Sequence, residues 1–331
     1  MKSGRSLPHI LMFIYFFIAG SQSLTAQKIG IQSITISDLE SHLWFLASDE
    51  LQGRATGEIG HEIAARYLAS QAQKIGLKAA DNYNDFFQTY IIEENSYDLE
   101  NSKITIESPG AEPVVMDDDF YLIIPEASED LNISGDIVFC GYGINSEKFN
   151  YNDFSEVDVQ DKIILIMNRG PMDDDGITPK FDDYNWNDMQ NFNNKFFYIH
   201  SLHPKAILMV LDPKSGFKSL EDINPALPKY LSSSKKLKDS ENNLTGFFQD
   251  ATRLFLIHRN VADKLLEDTG MNLETLQKKI DDSLKPHSFP ISGKTLNIQL
   301  KINSSELTVP NVFGIIEGSD PVKKDEYLLY I

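Results

Sequence analysis

Tyr327, Leu328, Leu329, Tyr330 and Ile331 form an apolar run directly behind the polar turn 318–326. Such a run reads as a β-strand, and a strand this apolar lies inside a sheet with neighbours on both faces. The strand 162–167 is also continuously apolar and is fed by the acidic turn 157–161. These runs predict an α/β class with a buried sheet. The last of them is expected to be a core strand met at its start, in a sheet the chain does not complete.

Between these runs the periodicity changes repeatedly. Ser37 and Glu40 have capping-box spacing, and Leu39, Leu43, Trp44 and Leu46 mark one face of a short helix. Gly53, Gly57 and Gly60 crowd around Arg54 in a tight loop. A second helix runs from about Ile59, with Ile63, Tyr67, Leu68, Ala72 and Ile75 at helical spacing and Gly76 as its terminating glycine. Short β-type segments follow at 87–92, 103–107 and 120–124, then at 136–140 and 162–167, and the polar stretch 168–194 reads as surface loop. A helix over 196–202 leads into strand 206–211, and 253–258 is a further strand. Helices cover 261–268 and 273–284, ended by Gly270 and Pro286, before strands at 295–302 and 311–316.

Lys2 and Arg5 precede the apolar stretch 10–19, and Leu24, Thr25 and Ala26 offer a small-residue cleavage site, so residues 1–26 are expected to be a secretory signal peptide. The stretch is shorter than the roughly 17 apolar residues a bilayer span needs, and no cysteine follows it to carry a lipid. Its removal would take the formal charge from −19 to −21, which argues against nucleic acid or an anionic membrane surface as a partner. Cys140 is the single cysteine, so no intramolecular disulfide can form, and a bacterial periplasm or exterior suits the chain. The Asn-x-Ser/Thr triplets at Asn132, Asn243 and Asn303 are then chance matches. Oligomeric state is left open by the sequence.

The segment from Leu46 through Asp49, Glu50, Gly53, Arg54 and Gly57, followed by a helix ending in Gly76 and Leu77, resembles the start of di-zinc exopeptidases of metallopeptidase family twenty-eight. The segment Val309-Pro310-Asn311-Val312-Phe313-Gly314, continuing to Asp320 and Tyr327, resembles the first catalytic strands of the same family. Between them, Gly141-Tyr142-Gly143-Ile144 and the run 159–165 resemble a protease-associated domain. The resemblance implies an incomplete three-layer zinc-exopeptidase domain with an inserted β-rich protease-associated domain. Its expected parts are a signal peptide over 1–26, a peptidase segment over 27–125, the insert over 126–294 and the first catalytic strands over 295–331. It further implies a secreted aminopeptidase acting on N-terminal peptide bonds of peptides or proteins, with two zinc ions in the full-length family. The family's first His-x-Asp metal segment follows the strand that corresponds to 327–331, so no catalytic, cofactor-binding or metal residue of the family falls on this sequence. This chain is expected to bind no zinc and to be inactive alone. The alternative is a non-catalytic secreted binding or accessory module.

Other residues carry weaker signals. Among the seven histidines there is no His-x-Asp or His-x-His. His61-Glu62 opens a zinc motif that fails at Ala65, and His200 with His203 have a spacing that can bring two imidazoles to one face. Both sets read as ordinary exposed histidines. Asp173, Asp174, Asp175 and Gly176, with Asp182 and Asp183, lack the alternation of a calcium loop and read as solvated. Cys140, at a strand end, reads as a small buried hydrophobe, and Gly141-Tyr142-Gly143 as a strand-exit turn. Arg54 reads as an anchor for its own loop, with substrate-cleft lining as the rival role.

Overall fold

The computed structural model describes residues 33–79, 85–116, 119–124, 129–181, 193–231, 233–238, 252–324, 326 and 328–329. The expected signal peptide lies outside these residues. The chain divides into two compact units, one formed by Met1–Tyr90 with Thr308–Ile331 and the other by Ile91–Leu307.

In the first unit, helix α1 (Ile36–Leu46) is followed by a 3-10 segment, Asp49–Arg54, and by helix α2 (Ile59–Lys74). The cap of α1 is Thr35, whose hydroxyl accepts the Asp38 N–H at 3.1 Å, two residues ahead of the expected Ser37. Thr35 wins because Asp38 then sits at the third helical position and receives the Thr35 hydroxyl proton at 2.6 Å. The helix buries none of its residues, and Leu39, Leu43 and Trp44 of the expected packing face are exposed. Its attachment is aromatic: Phe45 stacks on Tyr67 of α2 with centroids 4.4 Å apart, and His42 Nδ1 lies 2.7 Å from the Tyr67 hydroxyl. The buried side of α2 is built from small residues, Gly60, Ala64, Ala65, Ala69 and Ala72, which let Leu51 approach its first turn. A Cβ on Gly60 would stand 1.8 Å from the Leu51 carbonyl oxygen. Of the expected strand 327–331, Tyr327, Tyr330 and Ile331 lie outside the described residues, while Leu328 and Leu329 are exposed and belong to no strand. The expected strand 311–316 is likewise reduced, to the end of β11 at Val312 and an isolated bridge between Ile315 and Lys78.

The second unit is mixed α/β around one large mixed sheet. Its strands are β1 (Phe87–Glu107, in this unit from Ile91), β2 (Val114–Met116), β3 (Phe120–Ile124), β4 (Leu131–Phe139), β7 (Ile163–Met167), β8 (Ala206–Val210), β9 (Ser233–Leu237), β10 (Arg253–Ile257) and β11 (Phe289–Val312, in this unit to Leu307). A separate hairpin pairs β5 (Asn145–Ser146) with β6 (Tyr151–Asn152). The sheet order is β2-β1-β11-β4-β7-β8-β10-β3, with β9 on β1. Strands β4, β7, β8 and β10 are mutually parallel, and β11 and β3 run antiparallel on either side of them. Segments expected as separate strands at 87–92 and 103–107 are one continuous strand. The strands β1 and β11 share one sheet with β4, and the unit that holds them runs from Ile91 to Leu307.

The apolar runs are explained by burial on both faces. Ile163, Leu165 and Met167 of β7 pack with Val261 and Leu265 of α6 (Arg259–Leu266) and Leu276 and Ile280 of α7 (Leu273–Ser283). Ile164 and Ile166 face the other way, in a cluster with Phe196 and Ile199 of α3 (Asn193–Ser201) and Leu220 of α4 (Leu220–Ile223), against which Leu227 and Leu231 of α5 (Leu227–Leu231) pack. Each such side chain contributes roughly 2 kcal/mol by leaving water, so neither face of the central strands tolerates a charge. The expected loop 168–194 is more buried than its composition suggests: Met172 and Phe181 are inside, and residues 182–192 lie outside the description.

Candidate functional site

The carboxyl ends of β4, β7 and β8 lie side by side, the place where open parallel sheets collect polar groups and ligands. Each strand delivers a polar or sharply turning segment there. After β4 the chain turns at Cys140 to Ile144, with Gly141 at φ +50 and Gly143 at φ +69. A Cβ on Gly141 would fall 2.4 Å from Asp153 Oδ1, so glycine is what admits this carboxylate beneath the turn. Asp153 Oδ2 accepts the backbone N–H groups of Tyr142 and Ile144 at 3.1 and 2.9 Å, and Oδ1 accepts the Tyr151 hydroxyl at 2.7 Å.

After β7 come Asn168 and Arg169, and after β8 come Leu211 and Asp212. Asn168 Oδ1 accepts the Asp212 N–H at 2.7 Å, tying the two strand ends together. Arg169 grips Asp212 through two N–H donors, Nε and Nη2, both at 2.7 Å, and its Nη1 reaches the Gly176 carbonyl at 2.9 Å. The backbone of Arg169 is left-handed, φ +54, a conformation costing roughly 1 kcal/mol for a residue with a Cβ. A forked ion pair to a fully buried carboxylate offsets that cost.

Helix α7 closes the network. Gln277 donates to the Tyr142 hydroxyl at 3.0 Å and to Asp212 Oδ1 at 2.8 Å, while Asp281 accepts the Tyr142 proton at 2.7 Å and pairs with Lys214 at 2.8 Å. Burial raises the Asp281 carboxyl despite Lys214 and Tyr142, and raises both tyrosine hydroxyls well above their ordinary value. Lys195 of α3 is buried and gives a proton to the Arg169 carbonyl at 2.6 Å. Burial carries Asp153 up to about 7 and Lys195 down to about 7. Both groups sit inside the unit and bond to protein partners, Asp153 through three donors and Lys195 through the Arg169 carbonyl. The described arrangement fixes three strand ends and the α7 helix in one register.

None of these side chains except Tyr142 was singled out by sequence. Asp212 carried a usable signal, a charge placed directly behind an apolar strand. Asp153, Lys195, Gln277 and Asp281 carried none, because their partners are distant in the chain.

The residues that were singled out are scattered. Arg54 is exposed, with φ +59, and makes no ion pair with Asp49 or Glu50. His61 is half-buried on α2 and Ala65 is buried. His200 is half-buried and its Nδ1 accepts the Thr252 N–H at 3.2 Å, so it is not an ordinary exposed histidine, whereas His203 is exposed. Cys140 is sealed and burial pushes its thiol well up. In the acidic loop, Asp175 accepts the Thr178 hydroxyl and the N–H groups of Thr178 and Ile177, which pull it down to about 2. Asp173 and Asp174 pair with Lys180 and Lys214 at 3.8 and 3.6 Å, while Asp182 and Asp183 lie outside the described residues. Among the described residues no three His, Cys, Asp or Glu side chains gather to hold a metal ion, and no helix is long and apolar enough to cross a membrane. No family model matches the chain, and no curated protein matches it.

Proposed function

We propose that the chain carries the opening segments and protease-associated-like insert of a secreted di-zinc aminopeptidase-like exopeptidase, a hydrolase of N-terminal peptide bonds. The observation that carries the reading is the order of three motifs: the Gly53-Arg54 loop, the Gly141-Tyr142-Gly143 turn and the Pro310-Asn311-Val312 segment. The division of the chain supports it. The middle motif belongs to the unit Ile91–Leu307, and the flanking motifs belong to the two chain segments that make the other unit. The sequence offers no His-x-Asp pair, so the reading assigns no zinc ion and no catalytic residue to residues 1–331.

A second reading, a non-catalytic binding or accessory module, is favoured by the internal pairing of the ionisable groups at the strand ends. The experiment is metal analysis with an aminoacyl-nitroanilide assay, on the purified chain and on a protein extended past Ile331 by its own reading frame. The first reading expects two zinc ions and turnover in the extended protein only. Zinc and turnover in residues 1–331, or neither in the extended protein, would overturn it.

A further inference from the structure

The opposite, amino ends of the parallel strands hold a second polar place. A cleft of about 480 Å³ is lined there by Asp130, His200, His203, Lys205, Thr252 and Arg253, among others. Asp130 precedes β4, Lys205 precedes β8 and Arg253 opens β10, while the two histidines come from the end of α3. We propose that this cleft binds an oxyanion group, a carboxylate or a phosphate, through the Nε2–H of His200 and the cationic heads of Lys205 and Arg253.

The state of His200 follows from its partner. Its Nδ1 accepts the Thr252 backbone N–H at 3.2 Å and lies 3.1 Å from the Thr252 hydroxyl. A nitrogen that accepts an N–H bears no proton, so the neutral ring carries its proton on Nε2. His200 therefore presents a donor to the cleft, and serving a metal ion through Nε2 would require losing the bond to Thr252. The pairing of two histidines three residues apart thus favours an anion over a cation. Phe196, stacked on the His200 ring with planes 9° apart, holds its orientation.

Charge points the same way. Lys205 spends one of its three protons on the Ser134 carbonyl at 2.8 Å, and Arg253 keeps its guanidinium charge at any ordinary pH. Among the described residues of the lining the one carboxylate, Asp130, is already engaged: Oδ2 accepts from Lys301 at 2.5 Å and Oδ1 from the Ile302 N–H at 3.0 Å. The end of α3 would repel an anion if its carbonyls were bare, but those of Tyr198, Ile199 and His200 accept Ser201 Oγ, Leu202 N and His203 N. The His203 carbonyl accepts the Asp161 N–H in the same way. The chain's formal charge of −19 opposes anions at long range, so binding must come from these short contacts and is expected in the millimolar range.

The test is a titration of the full chain followed by the imidazole carbon–proton resonances, with inorganic phosphate in one arm, acetate in a second and chloride at matched ionic strength and pH in a third. Saturable movement of the His200 signals by phosphate, acetate or both, absent with chloride, is the expected result, and the arm that saturates names the group. In Lys205→Gln, an exposed position, the affinity should fall at least about tenfold with the melting temperature unchanged. No saturable shift in the wild type, an equal shift with chloride, or undiminished affinity in Lys205→Gln would each overturn the proposal.

Discussion

Tyr142 and Asp281, 139 positions apart, share a hydrogen bond of 2.7 Å with both residues fully buried. The bond joins the turn behind β4 to α7, and the same hydroxyl accepts from Gln277. Tyr142→Phe keeps the ring and deletes only the oxygen. It leaves a buried Asp281 oxygen without its donor and Gln277 short of one acceptor, a loss of about 1 to 3 kcal/mol. Urea unfolding of the two proteins measures it. A change under about 0.5 kcal/mol would mean that water reaches these atoms.

The pair Arg169 and Asp212 should behave asymmetrically. Replacing Asp212 by Ala strands a guanidinium and the Gln277 amide, and should cost about 3 to 5 kcal/mol. Replacing both partners, as Arg169→Met with Asp212→Leu, removes the stranded charge and should cost less than the single change. A double-mutant cycle in urea decides it, and additive losses would contradict the coupling.

These contacts mark where the sequence stopped being readable. Strands 163–167, 206–210 and 253–257 and helices α6 and α7 were legible, because their periods reflect local geometry and burial on the two faces of a sheet. The network was not. Arg169 and Asp212 are 43 positions apart, and Gln277 and Asp212 are 65 apart, so nothing local in the chain links them. Trp44 misled in the other direction: helical spacing placed it on a packing face, and it is 85% exposed. Spacing states which residues share a face and is silent on whether anything covers it.

Gly60 tests the packing of α2 on Leu51. An alanine would favour the helix by up to about 1 kcal/mol, yet its Cβ would meet the Leu51 carbonyl at 1.8 Å, and that oxygen is backbone. The clash should win, with a net loss of at least about 2 kcal/mol in this unit. Hydrogen exchange should speed up along α2 while amides of β7 in the other unit stay protected. Unchanged exchange along α2 would show that Leu51 moves aside freely.

Lys195 and Asp153 give the stability a pH dependence whose sign can be fixed. Asp153 has a folded value of about 7 against an ordinary 3.8, so the folded state holds its proton more tightly, and this contribution is lost as pH rises from about 4 through 7. Lys195 has a folded value of about 7 against 10.5, so the unfolded state binds more protons between those limits. Its contribution is full above 10.5 and lost as pH falls toward 7. Together they place a minimum near neutrality, with stability recovering on both sides as far as these two groups decide it. Lys195→Met removes the alkaline limb, since the methionine fills the site without a charge to desolvate, and by taking away a cation that lowers Asp153 it moves that carboxyl further up. Urea midpoints between pH 7 and 9.5 should rise for the wild type, by at most about 1.4 kcal/mol per pH unit for one proton, and stay flatter for the variant. Parallel curves for the two proteins would show that Lys195 keeps its proton inside the fold.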